Sequence, residues 1–328
     1  MAHSVSRLAV SILVDWGTTN FRAWLVAADG AVLDRRDAAQ GIMQVPAGGF
    51  PAALDGQVAS WRSIHSDLPV LMSGMVGSRQ GWAEAPYLSC PAGAEALAGA
   101  LFEVPGAAGV WIVPGVSYQA PDGRHDVIRG EEVQIFGALA DRAHGRQVFC
   151  LPGTHSKWAA VEDGRIAWFA TAMTGEVYSV LAEHSILGRL MDDIGQDGAG
   201  QDGAGQDEVG QDGAGQHDAA SFRQGLELAA EPGGLLNHLF AVRAEGLFGA
   251  VPAAGLRSYL SGILIGHEVR AMCGIARPEG PVTLIGRPDI TRLYGSAIGL
   301  AGSSTQAVTS QDATLKGLSI LRKAIPHG

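Results

Sequence analysis

Asp15-Trp16-Gly17-Thr18-Thr19-Asn20-Phe21-Arg22-Ala23-Trp24 follows directly on the apolar run Leu8 to Val14. A short apolar run ending in an acid reads as a buried strand, Leu8 to Asp15, that stops at a polar turn. Gly17 lets the backbone turn tightly and present consecutive N–H groups to an anion, and the hydroxyls of Thr18 and Thr19 add donors. A second strand, Phe21 to Ala28, leaves the turn, and Asp29-Gly30 folds the chain into a third, Ala31 to Asp37.

A looser copy of this unit returns far along the chain. Val148 to Leu151 reads as its first strand, Pro152-Gly153-Thr154-His155-Ser156-Lys157 as the turn, Trp158 to Val161 as the second strand and Asp163-Gly164 as the next hairpin. Two like hairpins suggest two halves of related design, facing each other across a cleft with a phosphate clamp on each side. The plain alternative is two ordinary hairpins, since Gly-Thr pairs are common in turns. The shared position, polarity and following Asp-Gly favour the duplication.

Composition sets the bounds. The chain has 328 residues, 47% of them hydrophobic, which is enough for about two globular domains. A net charge of −10 and a pI near 5.4 argue against nucleic acid, whose binders carry a basic field. Cys90, Cys150 and Cys273 are odd in number and lack metal-type spacing, so the reading is a cytoplasmic protein without a disulfide framework. The first apolar run leads straight into Asp15 and reads as a strand rather than a signal peptide, and no run is long enough to span a membrane. A homo-oligomer is compatible with all of this.

Further strands are expected at Pro69 to Ser73 and Val110 to Val113, so the class is α/β with mixed sheets and flanking helices. Glu131 to His144 has helical spacing at Val133, Phe136 and Leu139, with Gly145 as its stop. After a strand over Arg165 to Ala172, Thr174 is expected to cap a helix with Val177, Val180, Leu181, Leu187 and Met191 inward. Residues 195 to 218 repeat Gly-Gln-Asp-Gly-Ala and hold one large apolar side chain, Val209, so they read as a disordered surface insertion. Their aspartates lack the spacing and bidentate Glu of an EF-hand loop. Helices follow around Leu235 to Ala244 and Leu256 to Cys273, then a strand Val282 to Ile285. Gly286-Arg287-Pro288 starts the next helix, and Asp312 to Lys323 forms the last, with Leu315, Leu318 and Leu321 inward. His65, His184 and His267 show no metal-ligand pairing, and the last two fall on apolar helical faces as core histidines.

The assembled elements resemble the sugar-kinase, actin and heat-shock chaperone ATPase superfamily. The matching elements are Asp-x-Gly-Thr-Thr-x-x-Arg at 15 to 22, Gly153-Thr154, and the strand-Gly-helix at Leu284 to Gly286. Within it the chain resembles the 2-dehydro-3-deoxygalactonokinase family over nearly its whole length. The motifs are residues 15 to 24, Ser-Gly-Met-Val-Gly-Ser-Arg-Gln-Gly-Trp (73 to 82), Arg-Gly-Glu-Glu-Val-Gln (129 to 134), Leu-Pro-Gly-Thr-His-Ser-Lys-Trp (151 to 158) and Met-Thr-Gly-Glu (173 to 176). The resemblance implies two ribonuclease-H-like (actin-like ATPase) domains with the active site in the interdomain cleft. Residues 1–144 would be the sugar-binding domain with the first phosphate turn, and 145–328 the nucleotide-binding domain carrying the insertion. The implied reaction is ATP-dependent phosphorylation of 2-dehydro-3-deoxy-D-galactonate to its 6-phosphate in galactonate breakdown. The alternatives are another sugar or sugar-acid kinase, or an actin-like ATP-dependent switch or scaffold with no small-molecule substrate.

The same resemblance distributes roles. Asp15 would hold Mg²⁺ through water, because magnesium keeps much of its hydration shell. Gly17, Thr18, Thr19, Gly153, Thr154, His155, Ser156, Lys157, Gly175 and Gly286 would contact ATP, although Lys157 also fits a solvated strand position. Glu131 or Glu132 stands where carbohydrate kinases place the catalytic acid, or both are carboxylates stabilising a helix start. Arg79, in the polar turn Ser78-Arg79-Gln80, would pair with the substrate carboxylate, with Arg129 in reserve. Trp82 would pack on the carbon chain or belong to the core. Two departures from the superfamily pattern stand out: Leu151 where many members carry a second acid, and Arg287 in place of a second glycine.

Overall fold

The computed structural model describes residues 9–64, 68–139, 145–191 and 218–325. The expected disorder of 195–217 and the reading of His65 lie outside the described residues. The chain divides into two compact units. The first holds the chain up to Gly145, Ala160–Phe169 and the chain from Val308; the second holds Arg146–Ala159 and Ala170–Ala307. The expected division at 144/145 placed the two returning segments in the C-terminal domain.

In the first unit, β1 (Ala9–Trp16), β2 (Phe21–Ala27) and β3 (Val32–Ala38) form successive antiparallel hairpins. β4 (Val70–Ser73) lies parallel on the other side of β1. β5 (Tyr87–Ser89) and β6 (Ala92–Gly93) precede β7 (Phe102–Glu103) and β8 (Val110–Ile112), and the large sheet has the order β3-β2-β1-β4-β8-β7. β1 is therefore interior, which is why Ile12, Leu13 and Val14 are an unbroken apolar run rather than an alternating one. Helix α1 (Phe50–Arg62) has Pro51 in its first turn and buries Phe50, Leu54, Val58 and Trp61, one helical face, in the core of this sheet. Complete burial of a Leu or Val side chain stabilises by about 1.5–3 kcal/mol, so this face fixes the helix.

A second, three-stranded sheet pairs β5, β9 (Gly115–Gln119) and β10 (His125–Ile128) in the order β10-β9-β5. A short helix α2 (Ala94–Gly99) follows β6, and α3 (Glu131–Ala138) follows β10. The helix expected over 131–144 stops at Ala138, because Leu139 already has extended backbone (φ −62°, ψ 112°), and 140–144 lie outside the described residues.

β11 (Arg146–Leu151), β12 (Ser156–Glu162), β13 (Arg165–Ala172), β14 (Val282–Ile285) and β15 (Thr305–Val308) make the third sheet, in the order β15-β14-β11-β12-β13-β6. Its first three strands are the hairpin series and its fourth lies parallel beside the first, the permutation seen around β1. Duplication of the ribonuclease-H-like sheet is thus real. Asp163 (φ 48°) and Gly164 (φ 77°) supply the paired left-handed residues of a tight hairpin turn. β6 joins only the start of β13, at Arg165 and Ile166.

The second unit's helices are α4 (Thr174–His184), α5 (Ala219–Leu228), α6 (Leu235–Leu247), α7 (Leu256–Ala276) and α8 (Pro288–Leu300). Thr174 is the first residue of α4 rather than its cap, and its hydroxyl bonds the Glu268 side chain. The helix expected to reach Met191 ends at His184. Ser185 turns extended and its Oγ donates to Leu181 O, leaving Leu187 and Met191 buried beyond the helix and Val180 exposed. α7 is buried along most of its length and meets α5 backbone to backbone: a Cβ on Gly262 would lie 2.1 Å from Phe222 O.

The last helix, α9 (Ser310–Leu321), is capped by Thr309, whose Oγ1 accepts from Asp312 N, and buries Leu318 and Leu321 with Leu315 only partly covered. It crosses α3 at two glycines. A Cβ on Gly137 would lie 1.8 Å from Ala313 O, and one on Gly317 2.0 Å from Val133 O, so only glycine permits this approach.

Candidate active site

The first turn is shaped by a segment from elsewhere in the sequence. Gly41 N donates to Thr19 O (2.8 Å), Ile42 N to Gly17 O (3.0 Å) and Met43 N to Thr18 O (3.2 Å). In a planar trans peptide the N–H of the next residue points opposite to the carbonyl, so the amides of Thr18, Thr19 and Asn20 are turned away from 41–43 as a nest of donors. Gly41 is obligatory, because a Cβ there would lie 2.2 Å from Thr18 O. Gly17 is under no such constraint; its nearest neighbour would be 3.8 Å away. Sequence reasoning credited Gly17 and missed Gly41.

Asp15 ends β1 with its side chain 19% exposed and 3.4 Å from Arg22 Nη1. Burial pushes its carboxyl above the usual range, Arg22 pulls it back, and the charge of Glu131 adds to the rise. The proximity of Glu131 comes from two further glycines in left-handed backbone. Gly74 (φ 94°) leaves room for Asp15, since a Cβ would lie 3.4 Å from Asp15 Oδ1 and 2.8 Å from Trp16 O. Gly130 (φ 104°) packs against it, 3.2 Å from Gly74 Cα by the same measure. This contact brings the start of α3 to the end of β1.

There the two glutamates separate. Glu131 Oε2 accepts from Arg129 N (2.8 Å) and is only partly buried. Glu132 is completely buried, with both carboxylate oxygens on Gly130 N at 2.9 and 2.8 Å. Burial, reinforced by Glu131, pushes Glu132 up to about 8.

The arginines separate as well. Arg79 is 86% exposed and 3.6 Å from Glu84, with Gln80 exposed beside it. Arg129 is buried: its guanidinium lies 4.2 Å over the Tyr87 ring, Nε donates to Tyr87 Oη (3.3 Å) and Nη2 to Ala85 O (2.7 Å). Its Nη1 and the hydroxyl of Ser78 are buried without a hydrogen-bond partner. Trp82 stacks on Phe50 (6.2 Å, 13°) at the edge of the core.

In the second unit, Gly153, Thr154 and His155 are exposed. α4 starts beside them, with Glu176 N donating to Thr154 O (3.0 Å) and the Glu176 carboxylate paired with the His155 ring. Gly175 lies buried in the first turn of α4, so the positive end of that helix faces the Gly-Thr turn. Lys157 is buried and donates from Nζ to His155 O (3.2 Å), which removes it from the solvated-strand alternative. Ser156, expected among the phosphate donors, points inward and is fully buried, 2.8 Å from Tyr294 Oη. The parallel pairing of β14 with β11 sets Gly286 beside the turn: a Cβ on it would lie 3.8 Å from Pro152 Cδ. Arg287 is paired with Asp289 (2.7 Å).

Other expectations fare unequally. His184 is exposed at the last residue of α4 and 3.8 Å from Glu183, not a core residue. His267 is partly buried and bonds His238 at 2.9 Å. All three cysteines are free. Among the described residues no helix is long and apolar enough to cross a membrane, and no three His, Cys, Asp or Glu side chains cluster as a metal cage.

Two sheets with one strand order, one with an acid beside an amide nest and the other with a Gly-Thr turn at a helix start, define a protein of the ribonuclease-H-like class. Comparison with known proteins narrows the class. The model of the 2-keto-3-deoxy-galactonokinase family matches residues 15–321, and the chain belongs to that family of kinases. It is 34% identical over 317 residues to the 2-dehydro-3-deoxygalactonokinase of Escherichia coli strain K12, covering 96% of this chain and 98% of that one. A protein of Rhizobium meliloti strain 1021 assigned the same activity is 37% identical over 316 residues, covering 95% and 96%. A crystal structure of a Sinorhizobium meliloti protein assigned to the same enzyme superposes with a TM-score of 0.82 at 35% identity, covering 96% of this chain and 99% of the other.

Proposed function

We propose that the protein transfers the γ-phosphoryl group of ATP to the terminal hydroxyl of 2-dehydro-3-deoxy-D-galactonate, giving the 6-phosphate, in the reducing cytoplasm that its free cysteines suit. The observation that carries the reading is the meeting of Asp15, the Thr18–Asn20 amides and Glu131 at one end of β1 in a member of this family.

Phosphoryl transfer asks a protein chiefly to position groups and to stabilise charge. Glu131 is the general base, because it is accessible and Glu132 is sealed; it takes the proton of the attacking hydroxyl, a role worth about 10²–10⁴-fold. Asp15, partly exposed and outside any cluster of three ligands, suits a magnesium ion that keeps most of its water. Such an ion, when bound, offsets phosphate charge. The Thr18, Thr19 and Asn20 amides and the exposed Gly153-Thr154 turn at the start of α4 hold phosphate oxygens, with Gly175, Lys157 and Gly286 supporting the nucleotide side. Arg129, rather than Arg79, binds the substrate carboxylate: its Nη1 and the Ser78 hydroxyl are both buried donors without a hydrogen-bond partner, whereas Arg79 is exposed.

The test is ATP consumption across ketodeoxy sugar acids, aldonates and neutral sugars. Turnover confined to 2-dehydro-3-deoxy-D-galactonate is the expected result, and equal turnover of a neutral sugar would overturn the substrate assignment. In the same assay Arg129→Lys raises the sugar-acid KM, while Arg79→Ala leaves it within about twofold, the range of an exposed pair.

A further inference from the structure

A carboxylate far from the second turn in sequence supports it from below. Glu268, two thirds of the way along α7, is almost fully buried. It accepts from Trp158 Nε1 (2.7 Å) on β12 and from Tyr294 Oη (2.6 Å) on α8. Thr174, the first residue of α4, also bonds to it through its hydroxyl, and Ser156, the first residue of β12, reaches it through Tyr294. Ser156 and Tyr294 in turn lie 2.8 Å apart. Trp158 and Ser156 are wholly buried and Tyr294 nearly so, and all four side chains belong to the second unit.

Three of these side chains adjoin segments assigned above to ATP. Ser156 follows Gly153-Thr154, Thr174 opens the helix whose Glu176 N–H holds Thr154 O, and α8 begins two residues after Gly286. We propose that Glu268 is a positioning residue for the nucleotide: its carboxylate fixes the Gly-Thr turn, the start of α4 and α8 to one another, so that ATP meets preformed phosphate and nucleoside contacts. The inference rests on the assignment of residues 152–157 to ATP. A carboxylate is the required group, because it offers only acceptors and the indole N–H can only donate. Burial pushes the Glu268 carboxyl above its usual range, and its hydrogen bonds pull it back. A fully satisfied network of this kind is rigid, and misplacement of about 1 Å in a site costs on the order of 10²-fold.

Glu268→Gln keeps the shape but turns an NH₂ group toward donors, and Tyr294→Phe removes one donor and leaves the carboxylate. Both are tested in the full chain by ADP titration calorimetry, by KM for ATP and for the sugar acid, and by melting with and without ADP. Glu268→Gln is expected to weaken ADP binding and raise the ATP KM by about tenfold or more, and Tyr294→Phe by a smaller factor. The sugar-acid KM stays within about twofold in both. Variants that melt earlier yet bind ADP as the wild type does overturn the positioning role and leave a structural one. If Glu268→Gln does not fold, Tyr294→Phe decides alone: unchanged ADP affinity overturns the proposal. A wild type that binds no ADP instead overturns the nucleotide reading of 152–157, and this inference with it.

Discussion

The two candidate phosphate turns sit at the same place in equivalent sheets, yet they are supported in opposite ways. Asp15 to Asn20 is held from outside by the Gly41–Met43 segment, which takes its carbonyls and leaves its amides turned away. Pro152 to Lys157 is held from inside, by Ser156 buried against Tyr294 and Glu268. An acid closes the strand before the first turn, whereas the equivalent strand ends at buried Leu151. A duplicated frame has thus been divided into a half that carries charge and a candidate base and a half that offers backbone donors on a rigid support.

The sharpest break in that division is predicted at the glutamates. Glu131→Gln lowers kcat by about 10²–10⁴-fold, while Glu132→Gln, remote from solvent, lowers it far less. Equal, mild losses in steady-state kinetics would return both to the role of helix-start carboxylates. Asp15→Asn comes next, with kcat down about 10²–10³-fold and a melting temperature near that of the wild type. Near-normal turnover at low magnesium would remove Asp15 from the site.

Glycine exchanges compare the two supports directly. Gly41→Ala forces a methyl into the Thr18 backbone and should cost on the order of 1–3 kcal/mol of stability, with weaker turnover. Gly153→Ala meets open space, so its melting temperature stays within a degree or two. Calorimetry that ranks Gly153→Ala as the worse variant would invert the comparison.

A pH dependence of stability is also expected. Glu132 titrates near 8 in the folded protein and near 4.5 unfolded, so between those values the folded state holds the extra proton. Stability from this group is present below about 4.5 and is lost as pH rises toward 8, with a slope of up to ~1.4 kcal/mol per pH unit. Glu132→Gln flattens that slope in melting curves taken from pH 5 to 8; an unchanged slope would assign it to other groups.

Much of this architecture was legible in local patterns. The apolar run into Asp15, the Asp-Gly hairpins and Val282 to Ile285 followed by Pro288 each combine a strand with turn chemistry a few residues away. What escaped depends on residues distant in sequence. Gly41 looks like any loop glycine until the Thr18 carbonyl is found behind it, and Gly74 and Gly130 matter only as a pair. β5, β6, β9 and β10 are too short for a period of two to register. Arg79 sits in the more polar motif and Arg129 beside two glutamates, and no local pattern shows that the first is exposed and the second buried. Glu268 reads as one polar residue in an apolar helix because its partners come from other segments.

The glycine crossing of α3 and α9 bears on how the protein is made. α3 presents Glu131, and its packing surface is supplied by residues near the very end of the chain. During synthesis the N-terminal hairpins can pair early, but the Val133 and Gly137 face stays uncovered until translation has passed Leu321. The ribosome must therefore pass residue 321 before the surface of α3 is covered, and a nascent chain stalled before α9 leaves the helix that presents Glu131 open to chaperones and proteases.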